Sequence, residues 1–392
     1  MAAQKALIFS LAYYPHLIGG AEVAVKEITD RIDPSDIEFH MITMKNDPFL
    51  PQTEKIGNVT LHRIGFAAES GILFALNKYV YLVLAPFKAS CLHRMHKFDF
   101  TWAIMAYVAG FPALFFKMFH MNVPFLLTLQ EGDSIDYILR KTRLVGKLFR
   151  NIFRNADGIQ AISTYLADFA SDMGARKKPV VVPNGVDVER FSRFVVGAEL
   201  EAIKHEINKE TGDVMLVTAS RLVAKNAVGD IIGALAYLPA NVKLLVLGSG
   251  PLEADLKEQA TDLSVADRVI FKGFVPHELL SGYLQASDVF VRPSLSEGFG
   301  NSFVEAMAAG VPVIATRAGG IVDFLRDKET GLFCDMHSPQ DIARKVQIYM
   351  QDKNLRAEIV DNAMHMVVDR YDWKTIARDM REKAFGPVMM RP

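Results

Sequence analysis

Cysteine is nearly absent: two occur in 392 residues, Cys91 and Cys334. They stand far apart in no CxxC or Cys/His spacing, which excludes a disulfide framework and a structural zinc site and fits a reducing cytosol. An excess of one charge is also missing. With 44 Lys and Arg against 45 Asp and Glu, a net charge of −1 and 23% charged residues, the chain has neither the basic balance of a general nucleic-acid binder nor the composition of a disordered one. No uninterrupted hydrophobic run is long enough to span a bilayer. The longest uncharged stretch, 100–116, falls short of ~18 apolar residues and is broken by Gly110 and Pro112, so it reads as strand, turn and helix. The first apolar stretch, 6–12, has Lys5 as its only early charge and runs into Tyr-Tyr-Pro-His without a small-residue cleavage site. It reads as a first strand. Finally, no Asp-x-Asp triplet occurs anywhere, so the carboxylate pair that holds a divalent ion in metal-dependent sugar transfer is missing.

What is present is an alternating pattern. Half of the residues are hydrophobic, and the length gives a prior of two to three domains, each with a full core. Short apolar runs at 7–11, 37–44, 59–64, 125–129 and 158–162 alternate with longer stretches of helical period, which reads as βαβ units around a parallel sheet. After 180–182 comes Pro183-Asn184-Gly185-Val186-Asp187, a turn cluster that serves as the hinge. A second series follows, with strands at 214–218, 242–247, 269–271, 289–291 and 311–315. From Tyr371 to about Ala384 a separate helical pattern, opened by Asp372 and carrying Trp373, is expected to cross back to the first domain.

Several residues sit where chemistry is expected. Glu297-Gly298-Phe299-Gly300-Asn301-Ser302 leaves a strand and enters a helix containing Glu305. Glycines there let the backbone approach a ligand, and a helix beginning near Asn301 aims free N–H groups and its positive dipole end at an anion. Glu305 either accepts from a sugar hydroxyl or is an ordinary helix-N-terminal carboxylate. Arg221 and Lys225 follow a strand at its carboxyl end, where open α/β sheets bind ligands, although paired basic residues are also common on solvated surfaces. Gly248-Ser249-Gly250 either approaches a ligand or simply turns the chain. Gly19-Gly20 precedes a helix like a phosphate-cradling turn but lacks the full GxGxxG fingerprint, which weakens a nicotinamide reading.

The sequence resembles the retaining, family-four glycosyltransferases of the GT-B fold. The resemblance rests on Ser220-Arg221-Leu222-Val223, the glycines around Gly248, Lys272-Gly273-Phe274-Val275, and above all Glu297 and Glu305 within EGFGNSFVEAMAAGVPVIAT. It implies an α/β chain of two facing Rossmann-like doubly wound domains with a deep interdomain cleft: 1–184 on the acceptor side, 185–370 for the nucleotide sugar, and 371–392 as a returning helix. It implies a UDP- or GDP-linked donor used as substrate, with no cofactor and no metal. Arg221 and Lys225 would hold the diphosphate, Glu297 and the backbone of Phe299 and Gly300 the sugar, with Asn301 and Ser302 at the helix start, Glu305 the ribose, and Val275 would lie near the base. Glu297, Arg221 and Lys225 are the catalytic set. Gly19, Gly20 and Gly248 approach the donor. Two departures stand out. The family commonly has Lys five residues after the Arg, then Gly; here those places hold Asn226 and Ala227. Many members carry His just after the strand at 125–129, where this chain has Gln130-Glu131-Gly132-Asp133, so Gln130, Glu131 and Asp133 are the acceptor-side candidates. Their bland alternative is a turn in which Asp133 caps the next helix.

Residues 140–154 form a basic amphipathic pattern without one acidic residue: Arg140, Arg143, Lys147, Arg150 and Arg154 recur at three- and four-residue spacing, with Ile138, Val145, Leu148, Phe149 and Ile152 opposite. A single helix is expected. It is either an ordinary surface helix or a peripheral contact with anionic membrane. Together these readings describe a cytoplasmic enzyme that moves a hexose to a glycan or lipid-linked acceptor and binds no nucleic acid, placed at the inner face of a membrane only under the second reading of 140–154. A nucleotide-sugar 2-epimerase of the same fold and a non-catalytic nucleotide-sugar-binding subunit are the rivals; the Glu297–Glu305 segment favours transfer.

Overall fold

The computed structural model describes residues 3–15, 19–68 and 71–390. The chain forms two compact units, Met1–Asn184 with Trp373–Pro392, and Gly185–Asp372.

The first unit is built on strands β1 (Gln4–Phe9), β2 (Ile37–Met44), β3 (Thr53–Ile56), β4 (Val59–Ile64), β5 (Phe100–Ile104), β6 (Phe125–Leu129), β7 (Gly158–Ala161) and β8 (Val180–Val181), in the order β3-β4-β2-β1-β5-β6-β7-β8. All pairs are parallel except β3–β4. β5 and β6 are buried along their whole length, the pattern of central strands covered on both faces by crossover helices. The expected strand and helix at 100–116 are β5 and the helix Gly110–Phe119. β3 was not legible: Thr-Glu-Lys-Ile is a charged edge strand that alternates exposed and half-buried residues.

The C-terminal segment packs in this unit. Trp373, Ile376, Met380, Ala384, Phe385 and Val388 join the core formed by Phe39, Phe100 and Trp102, and the Phe385 ring stands edge-on to Trp102 at 4.9 Å. Gly158 has room only for hydrogen, since a Cβ would lie 2.7 Å from Val388 Cγ2.

Two expectations are corrected. Residues 140–154 are not one helix: the chain runs as helix Ile135–Thr142, a 3-10 turn Arg143–Val145, and helix Gly146–Asn155. Thr142 bonds its hydroxyl back to the Ile138 carbonyl at 2.9 Å, and Thr142, Val145 and Gly146 are weak helix formers in close succession. The helix Gly71–His96 is long and apolar enough to cross a membrane by length and composition alone, although no single uncharged run marked it. Its Asn77, Tyr81, Ala85, Ala89 and Leu92 are buried in the unit, while Ile72, Leu76, Tyr79, Val83 and Phe87 are exposed on the other side.

The second unit has β9 (Val214–Ala219), β10 (Val242–Leu247), β11 (Val269–Gly273), β12 (Val289–Arg292), β13 (Val313–Ala315) and β14 (Leu332–Phe333), in the order β11-β10-β9-β12-β13-β14. Every pair is parallel. The chain moves from β9 to β10 and β11 on one side, then restarts at β12 on the other. The switch point therefore lies between β9 and β12, and ligands of open parallel sheets bind outside the carboxyl ends of such a pair. In the first unit the switch point lies between β1 and β5.

Candidate functional site

The loops leaving β9 and β12 carry most of the residues singled out in the sequence, and they are tied together. Arg221 is exposed, and its carbonyl accepts from Asn226 Nδ2 at 2.6 Å. The 3-10 turn Ala224–Asn226 presents the Lys225 carbonyl to the Leu295 N–H at 2.7 Å, so the Lys225 loop grips the Glu297 loop. Ala227 takes the left-handed conformation, φ 49, that glycine adopts without cost; an alanine there is strained by about 1 kcal/mol.

Glu297 is 7% exposed and forms an ion pair with Arg292 at the end of β12, while Ser294 Oγ donates to it at 3.3 Å. Arg292 also donates to Asn226 Oδ1 at 3.0 Å and to Ser302 Oγ at 2.9 Å. Its guanidinium lies 5.5 Å from the Phe303 ring centre, and its Nε is buried with no partner among the described residues. One guanidinium thus joins the β9 loop, the Glu297 loop and the first turn of helix Asn301–Ala308. Sequence reasoning missed Arg292. The signal was available in Asn226, a short amide where a lysine is common, together with an arginine directly before Pro293.

Gly300 caps that helix with φ +101, and a Cβ there would meet the Phe303 ring at 2.5 Å, so the tight entry to the helix requires glycine. Asn301 and Ser302 open the helix and are half-buried. Phe299 is a core residue, with ring contacts to Phe324 at 5.2 Å and Tyr371 at 5.6 Å. Only its backbone is left to face a ligand.

Glu305 is 8% exposed, and its Oε1 lies 2.9 Å from His277 Nε2. That hydrogen bond, stronger than the opposing desolvation and Arg190 charge, raises the His277 pKa. His277 Nδ1 in turn accepts from Arg190 at 3.2 Å. His277 and Arg190 were not foreseen, because contacts 28 and 87 residues apart leave no local signal. Val275, half-buried after β11, lies two residues before His277. Gly248, φ +132, is needed for packing of one loop on another: a Cβ would fall 1.9 Å from the Ser220 carbonyl oxygen, and its N–H donates to Gly273 O at 2.7 Å.

In the first unit Gly19 precedes helix Gly20–Asp30, and its N–H donates to Glu22 Oε2 at 2.8 Å. The chain's own carboxylate holds that donor; burial raises the pKa of Glu22. Gln130 and Asn184 exchange two hydrogen bonds, at 2.9 and 3.0 Å, so Gln130 braces the end of the unit. Glu131 is 5% exposed; Oε1 accepts the Ala106 N–H at 2.6 Å and Oε2 has no partner among the described residues. Desolvation raises its pKa to about 7, the range of a general acid or base. The adjoining loop after β5 holds Met105 at φ 69 and Val108 at φ 77, backbone strain of a kind concentrated at functional sites. Asp133 is exposed, and the cap of the next helix is Ser134, not Asp133.

Residues 200–366 match the family described as Glycosyl transferases group 1, and residues 18–190 match Glycosyltransferase Family 4. The chain is 30% identical over 402 residues to the uncharacterized glycosyltransferase MJ1607 of Methanocaldococcus jannaschii, covering 96% of each. It is 30% identical over 248 residues to the GDP-mannose-dependent alpha-(1-6)-phosphatidylinositol monomannoside mannosyltransferase of Mycolicibacterium smegmatis, covering 60% of this chain and 64% of that one. Among solved structures it resembles Anabaena Alr3699/HepE in complex with UDP and glucose, with a TM-score of 0.79 at 22% identity over 98% of this chain and 100% of that one.

Proposed function

The chain belongs to the family-four, group 1 glycosyltransferases and has the GT-B fold, and on that premise we propose that it is a retaining hexosyltransferase acting from a UDP- or GDP-linked sugar on a hydroxyl of a glycan or lipid-linked acceptor. The observation that carries this reading is the switch point between β9 and β12, where the loop of Arg221 and Lys225 is tied to the Glu297 loop and Arg292 joins the Glu297 carboxylate to Ser302 in the first turn of helix Asn301–Ala308.

In the reaction the acceptor oxygen bonds to the anomeric carbon while the bond from that carbon to the diphosphate breaks, its electron pair staying with the diphosphate. Arg221, Lys225 and the helix N–H groups stabilise that growing negative charge, the role that fixed cations and dipoles play best in a preorganised site. Glu297, held by Arg292, faces the positive charge that develops on the sugar. Glu305, oriented by His277, accepts from the ribose. On the acceptor side, in the first unit, Glu131 with its raised pKa is the group suited to take up the hydroxyl proton, and the exposed Asp133 of the same loop the group suited to orient the hydroxyl. The missing Asp-x-Asp triplet supports chemistry without a metal, the protein cations standing in its place.

The acceptor side is read as meeting the inner, anionic face of a membrane. Arg140, Lys141, Arg143, Lys147, Arg150 and Arg154 are all exposed, and Leu144 beside them is 95% exposed. The outward apolar stripe Ile72, Leu76, Tyr79, Val83 and Phe87 supports the same surface character. The similar mannosyltransferase is named for a phosphatidylinositol-linked substrate.

A thermal-shift screen against UDP-, GDP- and ADP-sugars tests the proposal, because a ligand at ~100 times its dissociation constant adds about 2.7 kcal/mol to stability. One nucleotide series is expected to raise the melting temperature in the parental protein and not in Arg221→Ala. A flat response to all three series contradicts the donor assignment.

A further inference from the structure

Glu38 and His40 stand two residues apart on β2 and so leave the same face of the strand. His96, the last residue of helix Gly71–His96, comes down on that face: the rings of His40 and His96 are 4.3 Å apart between centroids. Glu38 Oε1 lies 2.8 Å from His40 Nε2, and one donor atom from each of Glu38, His40 and His96 falls within 4.8 Å of the others. His40 is 3% exposed, whereas Glu38 and His96 are half-buried, so the cluster is walled on one side and open to water on the other. Behind His40, His62 of β4 stacks its ring parallel at 5.3 Å and brings Nε2 within 3.0 Å of His40 Nδ1.

We propose that Glu38, His40 and His96 form a binding site for a divalent transition metal of the zinc class, with two imidazoles and one carboxylate as ligands and the fourth position open to water. Two nitrogens and one oxygen around an open position are a donor set that suits zinc. His62 supplies the outer hydrogen bond that orients a metal-ligating imidazole. Without metal, His40 Nε2–H donates to Glu38 and His62 Nε2–H donates to His40 Nδ1. When each ring moves its proton to Nδ1, His40 donates to His62 and frees its Nε2 lone pair, and neither ring changes charge. Lys5 Nζ lies 3.5 Å from Glu38 Oε2, the oxygen turned away from His40, and leaves Oε1 to the metal. Tetrahedral zinc, about 2.1 Å from each ligand, needs donor separations of about 3.4 Å; Glu38 and His96, the half-buried members, are the side chains that adjust. The ion staples the carboxyl end of the Gly71–His96 helix to the amino-terminal half of β2. Within this unit that is the opposite end of the sheet from the loop carrying Glu131, so the site is separate from the transfer chemistry.

The test is calorimetric titration of Zn²⁺ into tag-free protein dialysed against EDTA, with the visible spectrum of Co²⁺ as a second readout. The parental protein is expected to take up one equivalent and to show the intense bands of a tetrahedral Co²⁺ site. Glu38→Gln and His96→Ala, both at half-exposed positions, are expected to weaken binding at least tenfold while leaving the melting temperature without metal unchanged; His62→Phe, which keeps the stack, is expected to weaken it by about 10- to 100-fold. The neighbouring His93 and His120 pair, 5.0 Å between ring centroids, is the competing site. Absence of one-equivalent binding, or binding undiminished in Glu38→Gln and His96→Ala, overturns the assignment.

Discussion

Replacing Arg292 with methionine is the perturbation to which the donor site is most exposed. The guanidinium is 11% and its partner carboxylate 8% exposed, so the change leaves the Glu297 charge buried with the Ser294 hydroxyl at 3.3 Å as its remaining side-chain donor among the described residues and removes the donors to Asn226 and Ser302. Breaking a buried pair by removing one partner costs about 3–5 kcal/mol. For a unit of this size a loss of 1 kcal/mol lowers the melting temperature by roughly 2–4 °C, so the variant should melt some 6–20 °C lower. The mechanism is isolated by a cycle. Glu297→Gln alone leaves Arg292 without its counter-charge, and Arg292→Met/Glu297→Gln removes both charges, so the double variant should be more stable than the sum of the singles by about 1–3 kcal/mol. Urea denaturation of the four proteins, with sugar transfer measured alongside, gives both readouts. Arg292→Lys keeps the charge but not the three-way fork and should recover only part of each. Additive single-variant losses would refute the idea that Arg292 acts through Glu297.

Glu131→Gln should flatten a pH dependence. Because the folded pKa is about 7 against a reference of 4.5, the native state keeps a proton that the unfolded chain has lost between those values, so stability falls by about 3 kcal/mol as pH rises through that window and levels above it. Denaturation curves at pH 4.5 and 8 that differ equally in parental and variant proteins would remove Glu131 as the cause. Arg221→Ala and Glu305→Ala should each weaken nucleotide-sugar binding by about 1.5–3 kcal/mol, the worth of a hydrogen bond to a charged group, and calorimetric affinities equal to the parental value in both would refute the donor site. Exposed basic residues in 140–154 should carry the protein onto anionic but not neutral vesicles at about 1 kcal/mol per side chain near the surface, fading with salt; failure to co-sediment at low salt contradicts the membrane reading.

The strands 37–44, 59–64, 125–129 and 242–247 have the ends expected from sequence, because each is a run rich in β-branched and apolar residues closed by turn formers. The helix Gly71–His96 was harder to read for a physical reason: apolar residues occupy its inward face and also the outward stripe from Ile72 to Phe87, so no single amphipathic stripe forms. Glu297 and Glu305 were visible because their motif is local. Their partners were not. Arg292 meets Asn226 across 66 residues only because β12 pairs with β9, and His277 reaches Glu305 because the helix it opens packs beside Asn301–Ala308. Sheet order, which sets these meetings, is a non-local property that spacing does not report.

The central claim is that this chain transfers a hexose with retention. Incubating the parental protein and Glu297→Gln with UDP-glucose or GDP-mannose and a panel of alkyl glycosides, and following the anomeric proton by NMR, tests it directly. One donor is expected to be consumed, the first-formed glycoside to carry the anomeric configuration of the donor, and turnover to fall in Glu297→Gln more than donor affinity does. A product of inverted configuration, or turnover unchanged in Glu297→Gln, contradicts it.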